Sequence, residues 1–298
     1  MSYATPFPTG DSYKGPAKDF ETAEFDATIS RKSFARRNPL AAAGIVILAL
    51  YLLIAVFGPL VVQSPIATEP SAALQAPSTA HLFGTDTFGR DVFARAVYSA
   101  RLDLSIGIVI ALAAMALGSL LGVISGYWGG WVDEVIMRIT DVVLAFPGFV
   151  LALILVAVIG NSIPNVAVAV TVAYIPYFIR LTRAEVLSQR ELEYVDGARL
   201  AGNHKWRIAF RHVLPNSLTP AMVQATLVAG WSILTVAGLA FLGVGIRPPT
   251  AEWGVMVAEG APDIITGQWW TALFPGGMIV LAVMAFHFIG DEFGGEEL

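Results

Sequence analysis

Long apolar stretches without a charged side chain are the feature that most constrains this sequence. Asp, Glu, Lys and Arg are all absent from five of them: residues 39–63, 104–132, 142–179, 213–246 and 264–290. A helix needs about 20 predominantly apolar residues to cross the hydrocarbon core of a bilayer. The composition agrees, because 56% of the residues are hydrophobic and 14% are charged, against about 45–50% and about 25% in soluble domains. We therefore expect an all-α integral membrane protein.

The stretch at residues 142–179 is too long for a single membrane-spanning helix. Residues 160–165 (Gly-Asn-Ser-Ile-Pro-Asn) lie near its middle and favour a turn between two helices. The sequence therefore predicts six transmembrane helices, with cores at 40–62, 103–126, 139–160, 165–186, 219–243 and 270–290.

The distribution of basic residues predicts the orientation of these helices. Most of the 18 Lys and Arg residues lie in the N-terminal tail and between the fourth and fifth helices. Cytoplasmic loops carry the excess of Lys and Arg, so we expect both termini in the cytoplasm. The expected organisation is a cytoplasmic tail (1–38), a first transmembrane helix (39–63), an extracytoplasmic loop (64–100), a five-helix core (101–291) with a cytoplasmic loop (187–217) and an extracytoplasmic loop (244–269), and an acidic tail (292–298).

Several classes of function find no support in the sequence. There is no cysteine, the formal net charge is −5, and no metalloprotease, serine hydrolase or P-loop motif occurs. We therefore expect no catalytic residue, no metal, no cofactor bound by this chain and no nucleic-acid partner. If the chain takes part in active transport, another subunit must supply the energy.

Acidic residues are absent from the middle of every predicted span, whereas proton-coupled carriers usually keep an ionisable residue there. His287 is the one candidate, and we expect it to be a packing or interfacial residue. A sodium-coupled carrier could use backbone carbonyl groups instead. An ion-coupled secondary transporter without ATPase subunits therefore stays open as an alternative, as does a structural membrane subunit without a pathway.

Glycines recur every four residues in the second predicted span, at positions 118, 122, 126 and 130. This spacing places them on one helical face, where another backbone can approach closely. The pattern indicates a tight helix pair.

The cytoplasmic loop contains two short helical patterns separated by a stop signal. We predict a helix from Glu191 to Leu200, ended by Gly202 or Asn203 in the left-handed conformation. A second helical segment is predicted from Lys205 to His212, halted at Pro215. Such a bend between two spans would form a stiff lever.

This loop resembles the EAA loop of permease subunits in bacterial ATP-binding-cassette importers. The matching residues are Asp196-Gly197-Ala198, Gly202 and Leu214-Pro215. Asp stands where the pattern has Glu, and Gly197 stands where it has the first Ala.

Further motifs are similar to the dipeptide, oligopeptide and nickel permease branch of that family, and to its second, C-type permease subunit in particular. They follow the order of the family along residues 40–291. They comprise the sequences at 81–95, 98–101, 126–131, 137–141, 145–147, 241–245, 248–254 and 269–270. The acidic ending at 292–298 departs from the basic ending expected there.

The resemblance implies the six-helix fold of a binding-protein-dependent (type I) importer permease in a prokaryotic cytoplasmic (inner) membrane. It implies a heterodimer with a homologous permease, two ATP-binding subunits that hold ATP and Mg, and an extracytoplasmic solute-binding protein. The chain would then be a non-catalytic subunit that carries peptides or related small solutes by alternating access. The sequence does not identify the solute or the substrate-binding residues.

The resemblance also assigns candidate site residues. Those of the ATPase-coupling loop are Glu193, Tyr194, Asp196, Gly197, Ala198, Arg199, Gly202, Arg207, Leu214 and Pro215. Those expected to contact the binding protein or to gate the pathway are Arg90, Asp91, Pro248, Pro249 and Trp253. Arg90 and Asp91 are expected to pair with each other.

Overall fold

The computed structural model describes residues 38–295, and these residues form an all-α bundle. Residues 1–37 and 296–298 lie outside that range, and with them most of the predicted N-terminal tail and the end of the predicted acidic tail. The helices are α1 (Pro39–Val61), α2 (Val92–Trp128), α3 (Gly130–Leu144), α4 (Gly148–Ile159), α5 (Ile163–Gln189), α6 (Glu193–Leu200), α7 (Lys205–Ile208), α8 (Thr219–Phe241), α9 (Trp253–Ile265) and α10 (Trp270–Gly295).

Five of these helices are long and apolar enough to cross a membrane: α1, α2, α5, α8 and α10. They correspond to the first, second, fourth, fifth and sixth predicted spans. The turn predicted at residues 160–165 is also present, because Ser162 accepts a hydrogen bond from the backbone N–H of Asn165 and so caps α5. The Asn165 side chain in turn donates to the carbonyl oxygens of Ile159 and Gly160.

The third predicted span, 139–160, is wrong as a continuous helix. Its residues belong to α3 and α4, which meet at 90° across a break of a few residues. Pro147 lies in the break and favours it, since proline has no N–H to donate and disfavours helical geometry in the residue before it. The pair counts as a sixth crossing only if the two bent halves are taken as one span.

Both long loops predicted on the outer side contain helix. Residues 64–100 include the first turns of α2, which begins at Val92 because Asp91 accepts a hydrogen bond from the backbone N–H of Ala94. Residues 244–269 include α9, where Glu252 caps the first turn in the same way through Val255. Charged residues interrupt the apolar stretches here without interrupting the helices.

The glycine face of α2 packs directly against α5, as the spacing predicts. A Cβ atom on Gly122 would lie 2.8 Å from the Cβ of Thr182, and one on Gly126 would lie 2.9 Å from Cγ1 of Val186. Gly118 meets Phe178 equally closely, whereas Gly130 has nothing within 4 Å. Three of the four glycines therefore form the helix contact, and Gly130 does not.

The start of α1 and the end of α10 lie at the same end of the bundle as the segment that joins α5 to α8. Gly44 faces Ala285 across the interface of α1 and α10. Gly290, further along α10, contacts Leu227 near the start of α8. The segments around residues 69–95 and 245–270 form the opposite end.

Candidate functional site

The segment between α5 and α8, residues 190–217, forms the predicted helix–turn–helix, which we call the coupling segment. Its first helix, α6, begins at Glu193, two residues later than predicted. It ends in the arrangement that glycine favours, with Gly202 at φ +78°. The N–H of Gly202 donates to the carbonyl oxygen of Arg199 (3.0 Å), and that of Asn203 donates to Ala198 (3.2 Å). This is a Schellman stop, and it fixes the direction in which the chain leaves α6.

The second half of the coupling segment continues further than predicted. After α7, the chain forms a π-helical turn (Ala209–Val213) and a last helical turn (Leu214–Asn216). The prediction that Pro215 halts the helix is wrong. Proline is tolerated in the first turn of a helical segment, where its missing N–H has no intrahelical partner to lose.

Buried aliphatic side chains anchor the coupling segment to the ends of α2 and α5. Val195, Ile208 and Val213 form one core cluster with Val123 of α2 and Val186 of α5. Aromatic rings extend the cluster. The indole of Trp206 lies 4.4 Å from that of Trp128, and its plane is stacked on Phe210. The segment is therefore attached to α2 and α5 as a packed unit.

The opposite face of the coupling segment is exposed and partly apolar. The Leu200 side chain is 90% exposed, and those of Leu192, Tyr194 and Trp206 are also exposed. A Cβ atom on Gly197 or Gly202 would have nothing within 4 Å. Each isolated apolar side chain on a surface is ordinary, and Trp206 is partly covered by Trp128 and Phe210, but Leu200 projects almost entirely from the segment.

The charged residues of the coupling segment also have definite places. Arg199 pairs with Asp196 at 2.8 Å within α6, and both side chains are at least half exposed, so the pair contributes little to stability. Arg207 lines a cleft of about 430 Å³ together with Asn203, Arg211 and His212. Of the remaining predicted residues, Glu193 and Pro215 are exposed, whereas Ala198 and Leu214 pack partly against the core cluster.

Ion pairs and hydrogen bonds connect the coupling segment to the spans. Arg183 of α5 makes two hydrogen bonds with Asp133 of α3, which also accepts one from Ser125 of α2. Arg190 donates to the carbonyl oxygen of Gly126 at 2.8 Å. Arg190 therefore connects the start of the coupling segment to α2, and Asp133 connects α3 to α2 and α5.

The opposite end of the bundle holds a buried cluster of four charged residues, which sequence reasoning recognised only in part. Arg90 donates to Asp86 (2.6 Å) and to Glu259 of α9 (2.9 Å). Arg95 donates to the same oxygen of Glu259 at 2.8 Å. The predicted pair of Arg90 with Asp91 is wrong, because Asp91 instead caps α2 and contacts His81 (2.8 Å). The cluster connects the segment before α2 to α9.

Trp253 does not lie on the outer surface, contrary to the expectation that it contacts a partner there. Its side chain is fully buried, its indole N–H donates to the carbonyl oxygen of Ala96 (3.0 Å), and its backbone N–H donates to Asp103 (3.1 Å). The neighbouring Glu252 is also buried, and burial raises the pKa of its carboxyl group. Pro248 and Pro249, by contrast, are exposed.

Comparison with known proteins places this geometry in a family. Residues 118–292 match the inner membrane component of binding-protein-dependent transport systems, and residues 35–77 match the N-terminal transmembrane domain of oligopeptide transport permease C. The chain is 44% identical to a dipeptide transport system permease of Alkalihalophilus pseudofirmus, over 97% of this chain and 95% of the relative.

Two further relatives carry the names of other solutes. A probable D,D-dipeptide transport system permease of Escherichia coli is 41% identical over 85% of each chain. A glutathione transport system permease of Pectobacterium atrosepticum is 42% identical over 73% of this chain and 72% of the relative. With five or six apolar helices and these matches over most of its length, the chain belongs to the family of multi-pass inner membrane components of binding-protein-dependent transport systems.

Proposed function

We propose that this chain forms one half of the translocation pathway of an ATP-driven importer for short peptides or related small solutes. A homologous permease supplies the other half, two ATP-binding subunits dock on the coupling segment, and an extracytoplasmic solute-binding protein delivers the solute. The names of the relatives support this proposal, since they are permeases for dipeptides, D,D-dipeptides and glutathione.

The coupling segment lies in the cytoplasm in this proposal, as do both termini. The positive-inside rule supports this, because residues 180–211 are rich in Lys and Arg. The fold is consistent with it, because the start of α1 and the end of α10 lie at the end of the bundle that carries the coupling segment. An even number of crossings then follows.

The single observation that carries the proposal is the exposed apolar face of a segment that is otherwise rigidly held. Val195 is fully buried, whereas Leu200, five residues further along, is 90% exposed at the end of a helix with a fixed stop. An apolar side chain presented in this way by a packed unit fits a docking contact with another protein. ATP-driven closure of the ATPase subunits would push the coupling segment and, through Arg183 and Arg190, move α2 and α5.

At the outer end, Pro248 and Pro249 are the predicted contact residues that are exposed. We propose that they lie in the surface that meets the solute-binding protein. Arg90 and Asp91, two of the other predicted contact residues, make contacts within the chain, because Arg90 is buried against Glu259 and Asp91 caps α2.

The test of the docking role is Leu200→Glu in the assembled importer. This side chain has almost no contact within the chain, so its replacement should leave insertion and folding unchanged. The ATPase subunits should no longer co-purify and ATP-driven uptake should fall at least about tenfold, as expected for a central interface residue. Leu82→Glu at the opposite end, where Leu82 is also exposed, is the matched control and should retain the ATPase subunits. Normal co-purification with Leu200→Glu would refute the docking role.

The rival is an ion-coupled transporter that works without ATPase subunits. Proteoliposomes that contain this chain alone separate the two functions. Concentrative uptake driven by an imposed proton or sodium gradient would support the rival, and uptake only with the complete set of subunits and ATP would support the importer.

A further inference from the structure

A groove runs along one face of α8 where this helix meets α4 and α5. Its volume is about 580 Å³. The residues that α8 contributes occur at positions 224, 228, 231, 234, 235 and 238, a spacing that places them on a single helical face. At 1.5 Å of rise per residue the groove follows this face for about 21 Å, which is most of the thickness of a hydrocarbon core.

Polar but uncharged groups line this groove at membrane depth. The hydroxyl of Tyr174 lies 3.1 Å from Oγ1 of Thr235, which itself donates to the carbonyl oxygen of Trp231. Within the described part of the chain, no hydrogen bond reaches the side-chain polar groups of Gln224, Tyr177 or Trp231. Polar groups without partners are costly in contact with lipid tails. Such groups at membrane depth usually face a protein interior or a water-filled cavity.

A second groove in the same bundle provides the contrast. It has a volume of about 310 Å³, lies between α2, α8 and α10, and is lined by apolar side chains such as Leu112, Met115 and Met222. Its one hydroxyl, that of Thr226, donates to the carbonyl oxygen of Val223 at 2.7 Å and is therefore satisfied. This second groove is almost wholly apolar, whereas the first combines apolar side chains such as Phe149 and Leu234 with polar groups that have no partner among the described residues.

We propose that the α8 groove is this chain's contribution to the wall of the translocation pathway, and that it holds a short peptide by uncharged contacts. The inference rests on the proposed importer function and names the residues that touch the solute. The Gln224 amide and the Tyr177 hydroxyl would hydrogen-bond to the peptide backbone. The faces of Tyr177 and Trp231 would receive its ammonium group through cation–π contacts.

The chemistry of the groove indicates the class of solute that it accepts. None of its lining residues is charged, so no ion pair would hold a terminal carboxylate or a charged side chain firmly. A peptide would therefore be bound weakly enough to leave in each cycle. Short peptides of either net charge should pass with similar efficiency once the binding protein has delivered them.

The absence of cysteine from the chain makes the groove directly testable by single-cysteine labelling of the assembled importer in membrane vesicles. Gln224→Cys and Trp231→Cys lie in the groove, whereas Met222→Cys, in the same turn of α8 as Gln224, and Leu112→Cys face the apolar groove. The probe is a membrane-impermeant trimethylammonium methanethiosulfonate reagent, which requires an ionised and hydrated thiol. Its reaction is measured as the added mass on this chain.

We expect the cysteines at the two groove positions to react at least about tenfold faster than those at the two control positions. A saturating dipeptide, delivered by its binding protein, should slow the reaction at the groove positions. Equal rates at the four positions would overturn the inference, because the α8 groove would then be covered by lipid or by a partner helix. ATP-driven uptake by the unlabelled variants separates the two claims. If the variants take up solute normally but the groove positions are not labelled, the inference about the groove is contradicted and the proposed function is not. If the unaltered complex shows no ATP-driven uptake, the proposed function is contradicted, and the inference about the groove with it.

A change of charge provides a second readout that a structural defect would not give. Gln224→Glu should shift the ratio of uptake of a cationic to an anionic dipeptide about 25-fold toward the cationic one, because one unit charge at contact distance in a hydrated site favours the cation about fivefold and disfavours the anion about fivefold. Gln224→Leu should reduce the uptake of both dipeptides alike. An unchanged ratio with Gln224→Glu would contradict direct contact with the solute.

Discussion

Two glycines of the coupling segment should respond to the same substitution in opposite directions. Gly197 lies inside α6 with ordinary helical geometry, and a Cβ atom there meets nothing within 4 Å. Gly197→Ala should therefore stabilise α6 by about 1 kcal/mol, the difference in helix propensity between the two residues. Gly202 has equally free space but φ of +78°. Gly202→Ala should destabilise the Schellman stop by about 1–2 kcal/mol, the cost of a left-handed L-residue.

Hydrogen exchange of the backbone amides measures both effects locally. The N–H groups of Ala201, Gly202 and Asn203 all donate to carbonyl groups of α6, so their exchange reports how often the end of the helix opens. We expect exchange at Ala201 and Asn203 to slow about fivefold in Gly197→Ala and to accelerate by a factor of about 5–30 in Gly202→Ala. The unchanged peptides of α10 are the internal control.

The reasoning would be refuted if the two variants changed exchange in the same direction, or if neither changed it by more than about twofold. Either result would mean that the conformation at Gly202 is not left-handed or that α6 is not helical in the membrane. The Gly197→Ala variant also restores the alanine of the EAA pattern. Because it stiffens α6 without touching the rest of the chain, ATP-driven uptake should be at least equal to that of the unaltered importer.

Two further substitutions and one pH dependence test other parts of the structure. Gly122→Leu should separate α2 from α5 and lower the thermal midpoint of the purified protein by several degrees, because even a Cβ atom lies 2.8 Å from Thr182. Glu259→Gln should destabilise the protein by about 3 kcal/mol in reversible unfolding, because it leaves two buried arginines with only one carboxylate, that of Asp86. Burial raises the pKa of the Glu252 carboxyl group, so the folded state favours its neutral form. The free energy of unfolding should therefore be highest at pH values below the pKa that this group has in the unfolded chain. It should decline as the pH rises through the higher pKa of the folded protein.

Each of these predictions has a matched control variant. Gly277 also lies in a helix but has nothing within 4 Å, so Gly277→Ala should leave the thermal midpoint unchanged or raised. Glu191→Gln removes an exposed partner of Arg190 and should change stability by less than about 1 kcal/mol. Glu252→Gln can still accept the hydrogen bond from Val255 and should flatten the decline of stability with pH. A decline that survives in Glu252→Gln would assign the pH dependence to another group.

Much of the bundle could be predicted because lipid imposes a simple rule on the sequence. A membrane-spanning helix must satisfy its own backbone and present apolar side chains, so α1 and α8 lie within stretches free of charge and α10 lies mostly within one. The left-handed Gly202 was predictable for a similar local reason, since only glycine tolerates that conformation without cost.

Tertiary partners explain what the sequence could not indicate. Arg95 interrupts an apolar stretch, yet α2 passes through it because Glu259, distant in the sequence, neutralises it. Asp103, also in α2, accepts a hydrogen bond from the backbone N–H of Trp253. The 90° bend between α3 and α4 depends on how both halves pack, and Pro147 alone is also compatible with a kink. The exposure of Leu200 depends on which face of α6 meets the core, and no local pattern specifies that.

The polar face of α8 was visible in the sequence as Gln224, Trp231 and Thr235, each on the same side of an apolar helix. The sequence alone does not indicate that this face lines a groove, because a polar stripe can equally well face another helix. The positions of α4 and α5 show the groove. Substrate-contacting residues in a permease are therefore identified from the cavity that they share.

The most direct test of the account is a crosslink from position 200. Leu200→Cys, modified with a photoreactive maleimide in the assembled importer, should form an adduct between this chain and an ATP-binding subunit, and its yield should change when ATP is added. Leu82→Cys, at the other end of the bundle, should form no such adduct. Absence of an ATPase adduct from position 200, or a crosslink from that position to the solute-binding protein, would contradict the coupling of this permease to ATP hydrolysis through residues 190–217.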